Sequence, residues 1–216
     1  KHMTSGSEGG MVVSNDPDLA TRARKFGGIG YKHMTASAGR THLALSTVQD
    51  PAYERFDTIG LNYRMNEVSA AVGLAQLERI EEMVARRREV AAMFTDAVSG
   101  CDWMAAQETP DGLENSYYTF AVKYLGAEER GIPWKDFYDR YLKAGGDGFY
   151  GACMIPYLEP ALRGKTFGST TCEKGLCPVA EDMQGRIMQF KTNYRDPETA
   201  KQKTAVLAGV IDDIGR

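Results

Sequence analysis

The sequence predicts an α/β protein, and three observations carry that expectation. Short apolar or aromatic runs of strand length alternate with helical runs opened by Asp-Pro or Pro and closed by glycine. One amphipathic run, Asn66 to about Val98, is too long to be a strand. The composition is that of an ordinary folded domain: of 216 residues, 43% are hydrophobic and 25% charged. Disordered, collagen-like and coiled-coil classes do not fit those values.

Taken in order, Lys1 to Gly10 (KHMTSGSEGG) is a loop of small residues. Met11 to Ser14 is an apolar run too short for a helix and is expected to be a buried strand. Asp16-Pro17 opens a helix, with Asp as cap and Pro at the first helical position, and Gly27-Gly28 closes it. Residues 29–57 form a long polar excursion. The run from Asn66 then reads as one long helix or two abutting ones. Val68, Val72, Ala75, Leu77, Ile80, Met83 and Val84 make its apolar stripe, Arg86–Arg88 a solvated interruption, and Gly100 its stop.

Beyond Gly100 the texture changes. Tyr117–Leu125 alternates as a strand, and Tyr117, Tyr118 and Phe120 are expected in a core. Pro133 to about Ala144 is expected to be helical, Phe149–Ile155 a second strand, and Pro178–Phe190 and Pro197–Ile214 two further helices. A domain boundary is placed inside the long helical run, giving residues 1–90 and 91–216.

A net charge of −3 gives no general pull toward nucleic acid or an anionic membrane. No run of about 18 apolar residues supplies a transmembrane helix, and no basic-then-apolar leader is present. Cys172 and Cys177 have four residues between them, the wrong spacing for a zinc knuckle. All four cysteines are expected to be free thiols of a cytoplasmic protein, with no metal site. The chain opens at Lys1, with no initiator Met, directly into the loop and the apolar run. It is therefore expected to be the downstream part of a longer polypeptide.

A lysine beside a Ser/Thr/Gly loop admits two chemistries. Backbone N–H groups and hydroxyls can converge on a phosphate, and the amine can form a Schiff base with a carbonyl. The loop lacks P-loop spacing and the flanks of a dinucleotide fingerprint. Lys32, in a second KHMT string, is a rival lysine, but no Glu-Gly-Gly turn follows it.

The segment GLNYRMNEVSAAVGLAQLERIEEMVARRREVAAMF (Gly60–Phe94) resembles a signature of the DegT/StrS-type sugar aminotransferases. Lys1, Thr4, Glu8-Gly9-Gly10 and Met11–Val13 match the family's Lys–Thr–Glu-Gly-Gly–strand order, and Cys177–Phe190 its late helix. The resemblance covers nearly the whole chain, with Asn62-Tyr63-Arg64 its most specific stretch. It implies the later part of a fold-type-I large domain, followed by a small α/β C-terminal domain. It also implies pyridoxal 5'-phosphate as cofactor, a keto-sugar substrate, typically nucleotide-linked, and glutamate or glutamine as amino donor.

By the same resemblance, Lys1 holds the position of the catalytic Schiff-base lysine. Asn62 matches the asparagine that reaches the cofactor phosphate across a homodimer interface, so that active sites are shared. Arg64 either supports that geometry or pairs with a carboxylate. The small domain implies a sugar site bordered by Phe149–Tyr157 and the loop near Lys191. Tyr157 stands where many members carry a histidine, and none of His2, His33 or His42 replaces it. Two alternatives stay open: a sugar dehydratase of the same fold, in which histidine replaces the lysine, and a non-catalytic regulatory homologue.

Overall fold

A computed structural model of the protein describes residues 3–6, 8–38 and 43–216. The chain divides into two compact units, residues 3–79 and 80–216.

In the first unit, helix α1 (Pro17–Gly27) starts where the sequence places it. The Asp16 carboxylate accepts from the Asp18 and Leu19 amides, and Arg24 and Lys25 complement the last turn. A short helix, α2 (Leu45–Gln49), lies within the excursion, and Tyr31 bridges Phe56 in antiparallel sense across it. Helix α3 (Glu67–Leu77) is capped by Asn66, whose side chain accepts from the Ser69 amide. The expected strand at Met11–Ser14 is absent: the segment carries no strand pairing, and Met11, Val12 and Val13 are 80%, 73% and 85% exposed. A strand exists only through ladder partners. Among the described residues of this unit only isolated bridges occur.

The long helical run is two helices. Glu78 and Arg79 form a turn, and helix α4 (Ile80–Val98) belongs to the second unit, so the units divide ahead of residue 90. Val90, Ala91, Phe94, Ala97 and Val98 are the buried residues of α4. They pack in a core with a three-stranded antiparallel sheet made of β1 (Met104–Ala106), β2 (Thr119–Tyr124) and β5 (Ile187–Lys191). β2 lies in the middle, pairing Ala105 with Lys123 on one side and Ala121 with Gln189 on the other. Its Phe120, Val122 and Tyr124 alternate into the core, as a period of two requires.

Between β2 and β5 lie α5 (Gly126–Arg130), α6 (Trp134–Lys143), a 3-10 turn at Pro156–Leu158, a hairpin of β3 (Thr166–Phe167) and β4 (Thr170–Thr171), and α7 (Pro178–Gln184). Helix α8 (Pro197–Ile214) closes the chain, with Asp196 as its cap. Aromatic rings dominate this core. Phe94 lies 5.5 Å from Phe120 and 5.3 Å from Phe190 between centroids, and Phe149 lies 4.8 Å from Phe190.

Two expectations fail here. Phe149–Ile155 is not a strand. Tyr150 makes a single bridge to Gln189, after which the chain leaves the sheet edge, while Phe149 is buried as a core residue. The helix expected over Pro178–Phe190 stops at Gln184, and Ile187–Lys191 is the edge strand β5. Gly185 breaks the helical run, and Met188 and Phe190 then alternate inward. Arg86–Arg88 is only partly a solvated face. Arg86 pairs with Glu82, Arg87 donates to the Tyr118 carbonyl and the Thr192 hydroxyl, and Arg88 pairs with Glu114. Phe120 is core and Tyr117 packs on it, but Tyr118 is about half exposed. The four cysteines are all free thiols.

Candidate functional site

Lys1, together with His2, Ser7 and His42, lies outside the described residues. The rest of its loop is described and sits beside the Asn62 turn of the same unit. A Cβ on Gly9 would meet the Met65 Cε at 2.8 Å and the Ser5 hydroxyl at 2.6 Å, so the loop passes close to the Met65 side chain. Within the loop, Ser5 donates to the Glu8 carbonyl, and Thr4 accepts from the Gly6 amide.

Asn62 is held by its backbone. It bridges Gly28 in antiparallel sense, and its neighbours lock onto the end of α1. Leu61 N–H donates to the Phe26 carbonyl at 2.6 Å, Tyr63 N–H to the Gly27 carbonyl at 2.8 Å, and Ile29 N–H to the Leu61 carbonyl at 2.9 Å. These bonds satisfy helix-end carbonyls that would otherwise lack partners. They also impose a tight crossing. A Cβ on Gly30 would run into the Thr58 carbonyl, and Ile29 takes a left-handed φ of 60°, a costly conformation for a β-branched residue. The Lys25–Asp57 ion pair, at 2.5 Å, ties the same helix end to the returning strand of chain.

The Asn62 side chain is oriented by Arg64, whose Nε donates to its Oδ1 at 2.9 Å. Guanidinium has no acceptor, so the carboxamide oxygen must face Arg64 and the NH₂ must face away. Among the described residues nothing accepts from that NH₂. Arg64 bonds the Asn62 carboxamide, and among the described residues it pairs with no carboxylate.

In the second unit, Tyr157 and Lys191 belong to separate clusters. The Tyr157 hydroxyl donates to Glu181 Oε1 at 2.6 Å and accepts from the Cys177 amide at 3.0 Å, while Glu181 also accepts from the Gly175 amide. Desolvation and the bond to Glu181 push the Tyr157 pKa up to about 12. Its hydroxyl thus ties the Pro156–Leu158 turn to the start of α7. Lys191, at the end of β5, lies 3.5 Å from Asp147 Oδ2 and 4.6 Å from the centroid of the Tyr194 ring. Asp147 also pairs with Lys203 at 2.9 Å and accepts from the Tyr194 hydroxyl. Burial pushes the Asp147 carboxyl up, but the bonds from Lys203 and Tyr194 outweigh it and hold it low.

Lys32, the rival lysine, pairs with Glu54 at 2.8 Å, and that hydrogen bond raises its pKa.

The arrangement has the fold of sugar-modifying aminotransferases. The structure matches the sugar aminotransferase CalS13 from Micromonospora echinospora with a TM-score of 0.72, at 22% identity, over 99% of this chain and 49% of that one. It matches the aminotransferase from Psychrobacter cryohalolentis with a TM-score of 0.79, at 22% identity, over 99% of this chain and 54% of that one. The profile of the DegT/DnrJ/EryC1/StrS aminotransferase family matches residues 1–203, and the chain belongs to that family. It is 32% identical to the GDP-perosamine synthase of Escherichia coli O157:H7 over 60% of this chain and 30% of that protein. It is also 32% identical to the L-glutamine:2-deoxy-scyllo-inosose aminotransferase of Micromonospora echinospora, over 87% of this chain and 44% of that protein. The chain therefore spans less than half the length of these two relatives.

Proposed function

We propose that the whole protein is a pyridoxal 5'-phosphate-dependent aminotransferase that moves an amino group from glutamate or glutamine to a keto-sugar, typically nucleotide-linked. The observation that carries this reading is the Asn62–Arg64 turn. A phosphate monoester is anionic and offers only acceptors once ionised, whereas the turn offers an outward amide NH₂ beside a guanidinium. The outward NH₂ of Asn62 is the donor that fits the cofactor's phosphate. When bound, the cofactor supplies the electron sink that lets the donor's α-proton leave.

The chain's own residues divide the remaining work. Lys1 would hold the cofactor and carry the proton taken from the substrate Cα, which would require its amine to be neutral at that step. Asn62 binds the phosphate and so fixes the cofactor's position. Tyr157 and Lys191 border the sugar. With the Tyr157 hydroxyl engaged by Glu181 and Cys177, its contribution is to shape a loop, and Lys191 stands beside Asp147 at the end of β5.

The active form is a homodimer with shared sites. Support comes from α3, which buries none of its residues against the described part of this chain and leaves Val68, Leu74 and Leu77 for a partner or the rest of the protein to cover. A second reading has its own observation: the Gly9 loop and Met65 are neighbours within one chain, which favours Asn62 serving the site of its own subunit. The free thiols accord with a cytoplasmic protein. Among the described residues no helix is long and apolar enough to cross a membrane.

Borohydride reduction of the whole protein, followed by peptide mass spectrometry, tests the reading. The cofactor is expected covalently fixed on Lys1, and Lys1→Ala should abolish both the adduct and turnover. Tight cofactor binding without an adduct would point to the dehydratase class. No cofactor binding at all would leave a non-catalytic homologue.

A further inference from the structure

We infer that Arg64 is a positioning residue for the cofactor phosphate, acting through Asn62 rather than by touching the phosphate. The inference rests on the reading that Asn62 binds that phosphate. An unconstrained carboxamide rotates and presents its oxygen as readily as its nitrogen, and an oxygen facing a phosphate is repelled. Arg64 removes that ambiguity. Its Nε donates to Asn62 Oδ1 at 2.9 Å, and only the NH₂ remains for a ligand.

The backbone makes the orientation worth fixing. Asn62 is bridged to Gly28, Tyr63 is bonded to Gly27, and Leu61 is bonded to both Phe26 and Ile29, so the Cα of Asn62 has little freedom. The glycine at position 30 and the left-handed Ile29 allow the two chain segments to cross that closely. The side-chain torsions are the remaining freedom, and Arg64 restrains them. The two residues sit two apart in an extended turn, so one short contact needs no help from elsewhere in the fold.

A double-mutant cycle on cofactor affinity tests this in the whole protein, with pyridoxal 5'-phosphate and the phosphate-free pyridoxal as probes. Arg64→Ala should weaken pyridoxal 5'-phosphate binding about fivefold to tenfold, the size of one well-made hydrogen bond. It should leave pyridoxal binding unchanged. Asn62→Ala should weaken pyridoxal 5'-phosphate binding by at least as much, and adding Arg64→Ala to it should cost nothing further. Arg64→Lys, which keeps the charge but loses the Nε geometry, should behave like Arg64→Ala.

If the two losses add, Arg64 touches the phosphate directly and the inference is overturned. A loss of pyridoxal binding in Arg64→Ala would overturn it too, by showing general damage to the turn. If Asn62→Ala itself leaves pyridoxal 5'-phosphate binding intact, the reading of Asn62 fails first. If only Arg64→Ala is silent, that reading stands and the inference alone falls.

Discussion

The two units bury their helices very differently. In the second unit α4 and α8 each place apolar side chains in one aromatic core, with Phe94, Leu207 and Ile211 fully buried. In the first unit neither α1 nor α3 buries a residue, and Met34 is the only buried hydrophobic side chain among its described residues. Both units are nevertheless equally regular as helices, with side-chain caps at Asp16, Asn66 and Asp196. The comparison separates two things a helical sequence encodes. Caps and glycine stops decide where a helix lies, whereas burial decides what holds it there. The second unit carries its own cover, whereas the described residues of this chain leave the apolar residues of α3 uncovered.

The largest effect should come from the covered side. Phe94 has no exposure and contacts the rings of Phe120 and Phe190. Phe94→Ala should cost about 3–5 kcal/mol of stability, read by urea unfolding of the whole protein, because the core cannot collapse around a lost ring. A cost under about 1 kcal/mol would mean that this core is not the close-packed one described.

A smaller effect on folding, but a specific one, should come from the uncovered side. Val68 is 76% exposed on α3. Val68→Asp should change unfolding by less than about 0.5 kcal/mol, as exposed substitutions do. It should weaken self-association by about tenfold or more, read by sedimentation, because a charge would be buried in an apolar contact. Unchanged association would remove α3 from the proposed subunit interface and leave its cover to the rest of the protein.

How far the sequence reaches follows the same division. Helices α1, α6 and α8 are legible because Asp16-Pro17, Pro133 and Asp196-Pro197 open them and glycines follow. The break at Glu78-Arg79 is not marked by glycine or proline, and the apolar stripe runs through it. Short strands are the weak point. Met11–Ser14 and Phe149–Ile155 have the residue types of strands but lack ladder partners. Ile187–Lys191 has partners, and its alternation is obscured by the helical run before it.

At the site, Asn62 and Lys1 stand out through the family motif, as does the Asn62-Tyr63-Arg64 stretch. The bond that turns the Asn62 amide outward does not, since nothing in the two residue types says that they bond to each other. The left-handed Ile29 is equally silent, because nothing in an isoleucine announces a positive φ. The tether from Arg87 to Thr192 links residues far apart in sequence, so three consecutive arginines read as solvated until the fold is known.

The central claim is that Asn62 completes a cofactor site in the neighbouring subunit. Subunit mixing tests it most directly. Lys1→Ala protein is expected to be inactive and Asn62→Ala protein weakened. In a heterodimer of the two, shared sites place both intact residues in one site and neither in the other. The account predicts that mixing restores activity, up to about half that of the unsubstituted dimer per heterodimer. No recovery after verified subunit exchange would contradict it, and would assign Asn62 to the site of its own chain, where the Gly9 loop already lies beside Met65.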